Sequence, residues 1–390
     1  MAEIIAIICE YNPFHNGHKY QIDKIRENFP NATIVAIMSG NVTQRASFAM
    51  FDKYTRASVA VSMGVNAVLE LPFPFSSSNA EVFAKAGVKI ATEIGATHLC
   101  FGSESGDLEH LSAIADAIDS DLFENEIKDQ LNVRNESYIS AKENALLKLG
   151  ERLPKSPNDI LVVEYLRAIK KYGSKITPFV IKREGAGYSD LSVQGVMSAS
   201  AIRHEFYKNR TLLSIPDVAK EIFEQDIKDG AYLDENLAKE FIFRFAVTEK
   251  PENYATTFDT PDGCGYFISK IAKDSCNSNE FFIRLSSKVW TTSRLKRILM
   301  SQLFGVESAN ENEIFTTLLA CDKEGRTLIK NIRKNTGISI LTKHSDSKKF
   351  EGEKLKNFET SCRVDELYYT FLKNPKKPSD AYRKKSVIMS

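Results

Sequence analysis

Residues 3 to 9, Glu-Ile-Ile-Ala-Ile-Ile-Cys, form, after the leading Glu3, an unbroken run of mostly β-branched apolar side chains with no polar alternation. A strand with one wet face cannot read this way, whereas a strand buried on both faces of a parallel sheet does. Thr33 to Met38, Ala67 to Leu71, His98 to Phe101 and Lys175 to Ile181 are short runs of the same kind. Between them lie stretches with helical spacing, among them His18 to Glu27, Lys53 to Met63 and Asn79 to Ile94. In the last of these, Val82, Phe83, Ala86, Val88 and Ile90 can supply a buried stripe. The alternation predicts an α/β domain with a parallel sheet and right-handed crossovers.

The pattern changes near Tyr207 to Pro216, beyond which Val218 to Lys228, Asn236 to Ala246 and Thr292 to Phe304 read as amphipathic helices and strand signals thin out. Two domains are expected from 390 residues, the α/β unit over 1–210 and a mostly α-helical one over 211–390. The Lys-rich end after Asn374 reads as a mobile tail. Charge is uneven: the first 205 residues carry 21 Lys and Arg against 25 Asp and Glu, the remainder 31 against 26. Arg284, Lys288, Arg294, Lys296 and Arg297 form a basic stretch without an acid, suited either to a phosphate backbone or to a solvated helix face. Cys9, Cys100, Cys264, Cys276, Cys321 and Cys362 are scattered with no Cys-x-x-Cys pair, which argues against structural zinc and a disulfide framework. No metal-ligand set is expected. No apolar run approaches ~18 residues, and residues 1 to 20 lack the order of a signal peptide, so no membrane span and a cytoplasmic location are expected.

In open sheets of this kind ligands gather beyond the carboxyl ends of the strands. The loop after the first strand ends in His15-Asn16-Gly17-His18, at the entry to the first helix. A helix amino end offers backbone N–H groups and partial positive charge to a phosphate. Gly17 lets a nucleotide approach the backbone, and two imidazoles three residues apart can reach one phosphoryl centre as charge builds on it. A lone histidine is more often packed or solvated; the combination after an apolar strand points to a nucleotide. A second anion site is read at Ser198-Ala199-Ser200-Ala201-Ile202-Arg203, where Ser198 or Ser200 can cap a helix and Arg203 add charge.

These phrases carry a resemblance. Glu10-Tyr11-Asn12-Pro13-Phe14-His15-Asn16-Gly17-His18, Met38-Ser39-Gly40-Asn41 with Gln44-Arg45, Glu70-Leu71-Pro72-Phe73-Pro74 and Phe101-Gly102-Ser103-Glu104 stand in an order similar to that of the bacterial tRNA(Met) cytidine acetate ligases. That family belongs to the nucleotidyltransferase superfamily with a His-x-Gly-His signature. The resemblance covers nearly all of residues 1–205 and continues more thinly through Trp290 to Leu295 and Leu318 to Gly325. It implies a Rossmann-like catalytic domain that activates acetate with ATP, releases pyrophosphate, and passes the acetyl group from acetyl-adenylate to N4 of the wobble cytidine of elongator tRNA(Met).

The implied ATP-contacting positions are Ile7, Ile8, Cys9, Glu10, Tyr11, Asn12, Pro13, Phe14, His15, Asn16, Gly17, His18, Lys19 and Tyr20, with Gly102, Asn158 and Arg183. Ser198 and Ser200 join them through the second anion site. His15, His18 and Arg203 are the catalytic candidates, with Mg²⁺ accompanying ATP. Arg284, Lys288, Arg294, Lys296 and Arg297 are the candidate tRNA contacts, and Trp290 beside them could stack on an unpaired base. The chain departs from the family pattern at Ala46, where the family has Gly, at Phe48, where it has Pro, and at Asp159, where it has Asn. Two other readings remain open: an adenylyltransferase acting on a small phosphorylated metabolite, and a module that holds nucleotide without turnover. Oligomeric state is not legible.

Overall fold

The computed structural model describes residues 3–131, 138–183, 197–287 and 289–389. The chain runs β1 (Ile4–Cys9), α1 (Asn16–Asn28), β2 (Thr33–Ser39), α2 (Lys53–Ser62), β3 (Ala67–Leu71), α3 (Ala80–Glu93) and β4 (His98–Ser103). Helices α4 (Leu108–Ile118), α5 (Asp121–Leu131), α6 (Tyr138–Lys148) and α7 (Pro157–Lys171) precede β5 (Thr177–Lys182) and α8 (Ala199–Asn209). There follow α9 (Asp217–Lys228), α10 (Glu235–Thr248), α11 (Cys264–Lys273), α12 (Ser278–Arg284) and α13 (Thr292–Phe304). The last part holds β6 (Phe315–Cys321), α14 (Lys323–Asn335), β7 (Ser339–Leu341), α15 (Gly352–Thr370) and β8 (Val387–Ile388).

The strands lie in the order β5-β4-β1-β2-β3-β6-β7, with β8 on β6. From β5 to β3 every pairing is parallel. β1 is central, Ile7 standing opposite Ala36 on one side and Cys100 on the other. Its side chains alternate between two cores: Ala6 packs with α3, α4 and α7, while Ile5 and Ile7 pack with α1, α2, α8 and α9. That explains the unalternated run, since burying each Ile on either face is worth about 1.5–3 kcal/mol.

The division expected at residue 210 is not a division of cores. β6 returns to pair antiparallel with β3, Ala67 facing Cys321. Leu319 and Ala320 join the same core as Ile202, Phe206, Ala219 and Phe223. The tail expected to be mobile is docked as well: Lys384 bonds Asp52 at 2.8 Å, and Val387 of β8 pairs with Ala320 of β6. The helical expectation does hold for α9 to α13 and α15.

Helices α10 to α13 and α15 build a third core, and it includes Val42, Ala46, Phe48 and Phe73 from the loops after β2 and β3. The helices therefore stand on the carboxyl-end loops of the sheet. Phe48 contacts Phe371 edge-on with ring centroids 5.3 Å apart, so the departure from Pro supplies a packing side chain there. Ala46 takes a left-handed backbone with φ 53°, which costs an L-residue about 1–2 kcal/mol where glycine would be at ease.

Two buried cations tie these layers together. Arg56, 0% exposed, donates to the carbonyls of Phe51 (3.0 Å), Glu10 (2.6 Å), Ser39 (3.1 Å) and Gly40 (2.6 Å), spanning the loops after β1 and β2. Lys53, at the start of α2, bonds Glu70 of β3 at 2.7 Å and Asp365 of α15 at 2.6 Å. Asn41 completes the cluster, donating to Asp365 at 2.9 Å and accepting the Lys53 N–H at 2.8 Å. Replacing Lys53 by Met should destabilise the fold by about 3–5 kcal/mol, because two buried carboxylates lose their cation. A urea midpoint unchanged from the wild type would contradict this.

Candidate active site

β1 delivers the chain to a loop whose path is held from several sides. The Asn12 side-chain oxygen accepts the Met50 N–H at 2.8 Å, and the Asn12 carbonyl accepts from Arg203. Tyr11 adopts a left-handed φ of 47°, and its buried ring lies edge-on to Phe14 and to His18. These aromatic side chains make an apolar bed under the histidines.

His15 is the N-cap of α1. Its Nδ1 accepts the Gly17 N–H at 3.1 Å, and the His15 N–H in turn donates to His18 Nδ1 at 3.2 Å. This is a reciprocal capping box built from imidazoles rather than a hydroxyl and a carboxylate. The rings are stacked, centroids 3.7 Å apart at 22°. In both, Nδ1 accepts and is therefore bare, so the neutral tautomer carries its proton on Nε2. Burial, with Arg183 and Arg203 nearby, lowers the His15 pKa to about 3. Burial, His15 and Arg183 hold that of His18 well below its usual value. Both rings are neutral Nε2–H donors at pH 7.

One expectation needs correction here. The first backbone N–H groups of α1 are not free for a phosphate: Asn16 donates to the Ser214 carbonyl at 3.0 Å, Gly17 to His15, and His18 to the His15 carbonyl at 2.9 Å. The helix spends these amides on fixing the rings, and the imidazole Nε2–H groups become the donors at that end.

A cavity of about 510 Å³ opens beyond the carboxyl ends of the strands, lined by Ile8, Cys9, Glu10, Tyr11, Asn12, His18, Gly102, Asn158 and Arg183 among the positions read from sequence. Ala199 of α8 also lines it. His15, 4% exposed, is stacked on His18. Ile7 and Phe14 belong to the core. Lys19 pairs with Asp23, and Tyr20 is exposed, with Lys24 over its ring. Pro13 and Asn16 sit in the loop and at the first position of α1 without lining the cavity. Ser198 caps α8 through the Ala201 N–H at 3.2 Å, and Ser200 accepts from Arg203 at 3.2 Å. Arg203 thus holds the histidine loop by its Asn12 contact while adding positive potential at His15.

A Cβ at Gly102 would lie 3.3 Å from Cγ of Arg183, whose side chain crosses it and would have to give way by a few tenths of an ångström. Asp159 explains its departure from Asn by accepting from the Ser103 hydroxyl and from the N–H groups of Glu104 (3.1 Å) and Ser105 (3.2 Å). It shapes the loop after β4, while Asn158 donates to Glu104.

The sequence reading missed Gln44 and Arg45 as cavity residues, although both stood in a quoted phrase, and missed Phe83, Tyr165 and Ser293. Ser293 comes from α13, so the helical half contributes to the same cavity. The basic stretch does not present one exposed face. Arg294 pairs with Asp259 at 2.9 Å. The half-buried Arg297 has its pKa lowered by burial despite Asp259 nearby. Lys296 lies over the Phe282 ring, and Arg284 bonds Glu280 at 3.2 Å. Lys288 lies outside the described residues. Trp290 is half-buried edge-on to Phe267. Three residues apart on α13, Arg294 and Arg297 share a helix face, and Asp259 lies against it.

The depressed His15 pKa has a sign. An unfolded imidazole takes a proton near pH 6.5, the folded one only near 3, so between these values the unfolded chain binds more protons. Stability from this group is full above about pH 6.5 and is lost progressively as pH falls toward 3. Asn caps helices well, so His15→Asn should fold and show a shallower loss of urea resistance from pH 6.5 to 4. Equal slopes in the two proteins would contradict the assignment.

The family model described as HIGH Nucleotidyl Transferase matches residues 2–383. The tRNA(Met) cytidine acetate ligase of Thermoanaerobacter sp. (strain X514) is 34% identical over 392 residues, covering 95% of this chain and 96% of the relative. The protein of that name from Clostridium acetobutylicum is 29% identical, covering 99% of this chain and all of its own. The crystal structure of Thermotoga maritima TmcAL bound with alpha-thio ATP superposes with a TM-score of 0.90 at 25% identity, covering 99% of both chains. With the paired histidines at the mouth of the cavity and a likeness that runs the length of the chain, this protein belongs to the tRNA(Met) cytidine acetate ligase family of HIGH nucleotidyl transferases.

Proposed function

We propose that the chain is an ATP-dependent ligase that joins acetate to N4 of the wobble cytidine of elongator tRNA(Met) in the cytoplasm. The observation that carries this reading is the His15–His18 cap on a cavity wide enough for a nucleotide, in a chain similar over its whole length to proteins of that name. Acetate is a weak nucleophile, so attack on the α-phosphorus depends on alignment and charge neutralisation. His18 donates from Nε2 to an α-phosphate oxygen, while His15 behind it fixes the ring. Arg183, Arg203 and the amino end of α8 at Ser198 and Ser200 draw the leaving pyrophosphate. Asn158 supports the nucleotide over Gly102. Magnesium enters as part of the ATP substrate, carried by phosphate oxygens and water. The described residues bring no group of three or more His, Cys, Asp or Glu together to cage an ion.

Two features favour a macromolecular acceptor over a small phosphorylated metabolite. The helical half is built on the loops that border the cavity, and Ser293 of α13 reaches the cavity itself. Among the basic residues, Arg284 and Lys296, with Lys288, are the proposed phosphate contacts. Arg294 and Arg297 act from behind, because Asp259 faces both. No described helix is long and apolar enough to cross a membrane.

Incubation of the protein with ATP, acetate and tRNA should add one acetyl group to a cytidine, read by mass analysis of the digested RNA. Acetate-dependent exchange of labelled pyrophosphate into ATP should accompany it and fall about 10²–10³-fold in His18→Ala, the loss typical of one removed oxyanion donor. Exchange that ignores acetate, or full activity in His18→Ala, would overturn the reading.

A further inference from the structure

Transfer of an acyl group to an amine releases a proton, and the cavity offers few places to put it. His18 Nδ1 is engaged by the His15 N–H at 3.2 Å, and its Nε2 already carries hydrogen. Arg45 and Arg183 are donors only. Burial pushes the Cys9 thiol and the Tyr11 and Tyr165 hydroxyls up, so none of these ionises near neutrality. Among the described residues lining the cavity, Glu10 is the one carboxylate.

Glu10 is also held. Its main-chain carbonyl accepts from Arg56 at 2.6 Å, and its Oε1 accepts the Gln44 N–H at 2.8 Å. Pinned at backbone and side chain, it bridges the loop that carries the histidines and the loop that carries Arg45. Through its Oε1 contact it neighbours Gln44 and Arg45, which line the same cavity.

We propose that the Glu10 carboxylate is a catalytic base for the second half-reaction, taking the proton from the attacking amine of the acceptor; the proposal rests on the ligase reading above. The N4 lone pair forms the bond to the acetyl carbon. The N–H proton passes to Glu10, and the carbon–oxygen bond to phosphate breaks with its electron pair leaving on AMP. Glu10 then returns the proton to water. An amine becomes strongly acidic as it acylates, so a carboxylate is base enough for this step. The first half-reaction involves no such proton, because the attacking acetate is already ionised.

Glu10→Gln tests this, since its amide oxygen can still accept the Gln44 N–H. Single-turnover transfer from enzyme-bound acetyl-adenylate to tRNA should fall about 10²–10⁴-fold, the range of general-base effects, and about tenfold or more beyond any fall of acetate-dependent pyrophosphate exchange in the same variant, since Glu10 also borders the nucleotide cavity. Transfer that persists would mean the departing phosphate takes the proton itself, and the proposal fails. Exchange and transfer falling together would place Glu10 in nucleotide binding and also overturn it. Should the Gln variant not fold, Glu10→Asp decides: transfer falling well beyond exchange supports the base, any other pattern rejects it. Wild-type protein lacking acetate-dependent exchange would instead sink the ligase reading.

Discussion

The reciprocal hydrogen bonds between His15 and His18 set the chemistry of the whole site. Each ring gives its Nδ1 to a backbone N–H of the first helical turn, so each must present a protonated Nε2. Burial and neighbouring arginines keep both rings neutral. A neutral donor gains on a phosphate as negative charge develops there, without itself having to lose or gain a proton. The helix amino end thus acts through side chains, its amides being committed to holding them.

The remaining architecture keeps that pair in place. Apolar β1 positions the loop from below, and the Tyr11 and Phe14 rings wall the imidazoles. Arg203 reaches across from α8 and Arg56 from α2 to carbonyls on either side of Tyr11. A guanidinium buried on main-chain carbonyls is costly to desolvate, and its four bonds offset that cost only while both loops keep their paths. Lys53 extends the same logic to α15, so the helical half and the sheet form one connected support under the cavity.

Strands β1 to β4 were legible because burial on both faces leaves an apolar run, β5 at the sheet edge because Phe179 to Ile181 is still apolar, and the His-x-Gly-His loop because its residue types and its place after a strand coincide. β6 was not, although Phe315 to Cys321 is apolar enough: an antiparallel strand joined to β3 across some 240 residues leaves no local trace of its partner. Glu10 and Gln44 were visible as parts of quoted phrases but not as bonded to one another, since their relation depends on Arg56 and on the tight turn at Ala46. The surroundings of the basic stretch were hidden in the same way. Charge along a sequence does not reveal that Asp259 will close on Arg294 and face Arg297.

The most direct measurement is ¹⁵N NMR of the two imidazoles in the protein at pH 7, with and without a non-hydrolysable ATP analogue. The account predicts two neutral rings with hydrogen on Nε2 and a bare Nδ1, and an Nε2 signal of His18 that shifts when the analogue is added. An imidazolium, a proton on Nδ1 of either ring, or a His18 resonance indifferent to the nucleotide would contradict it.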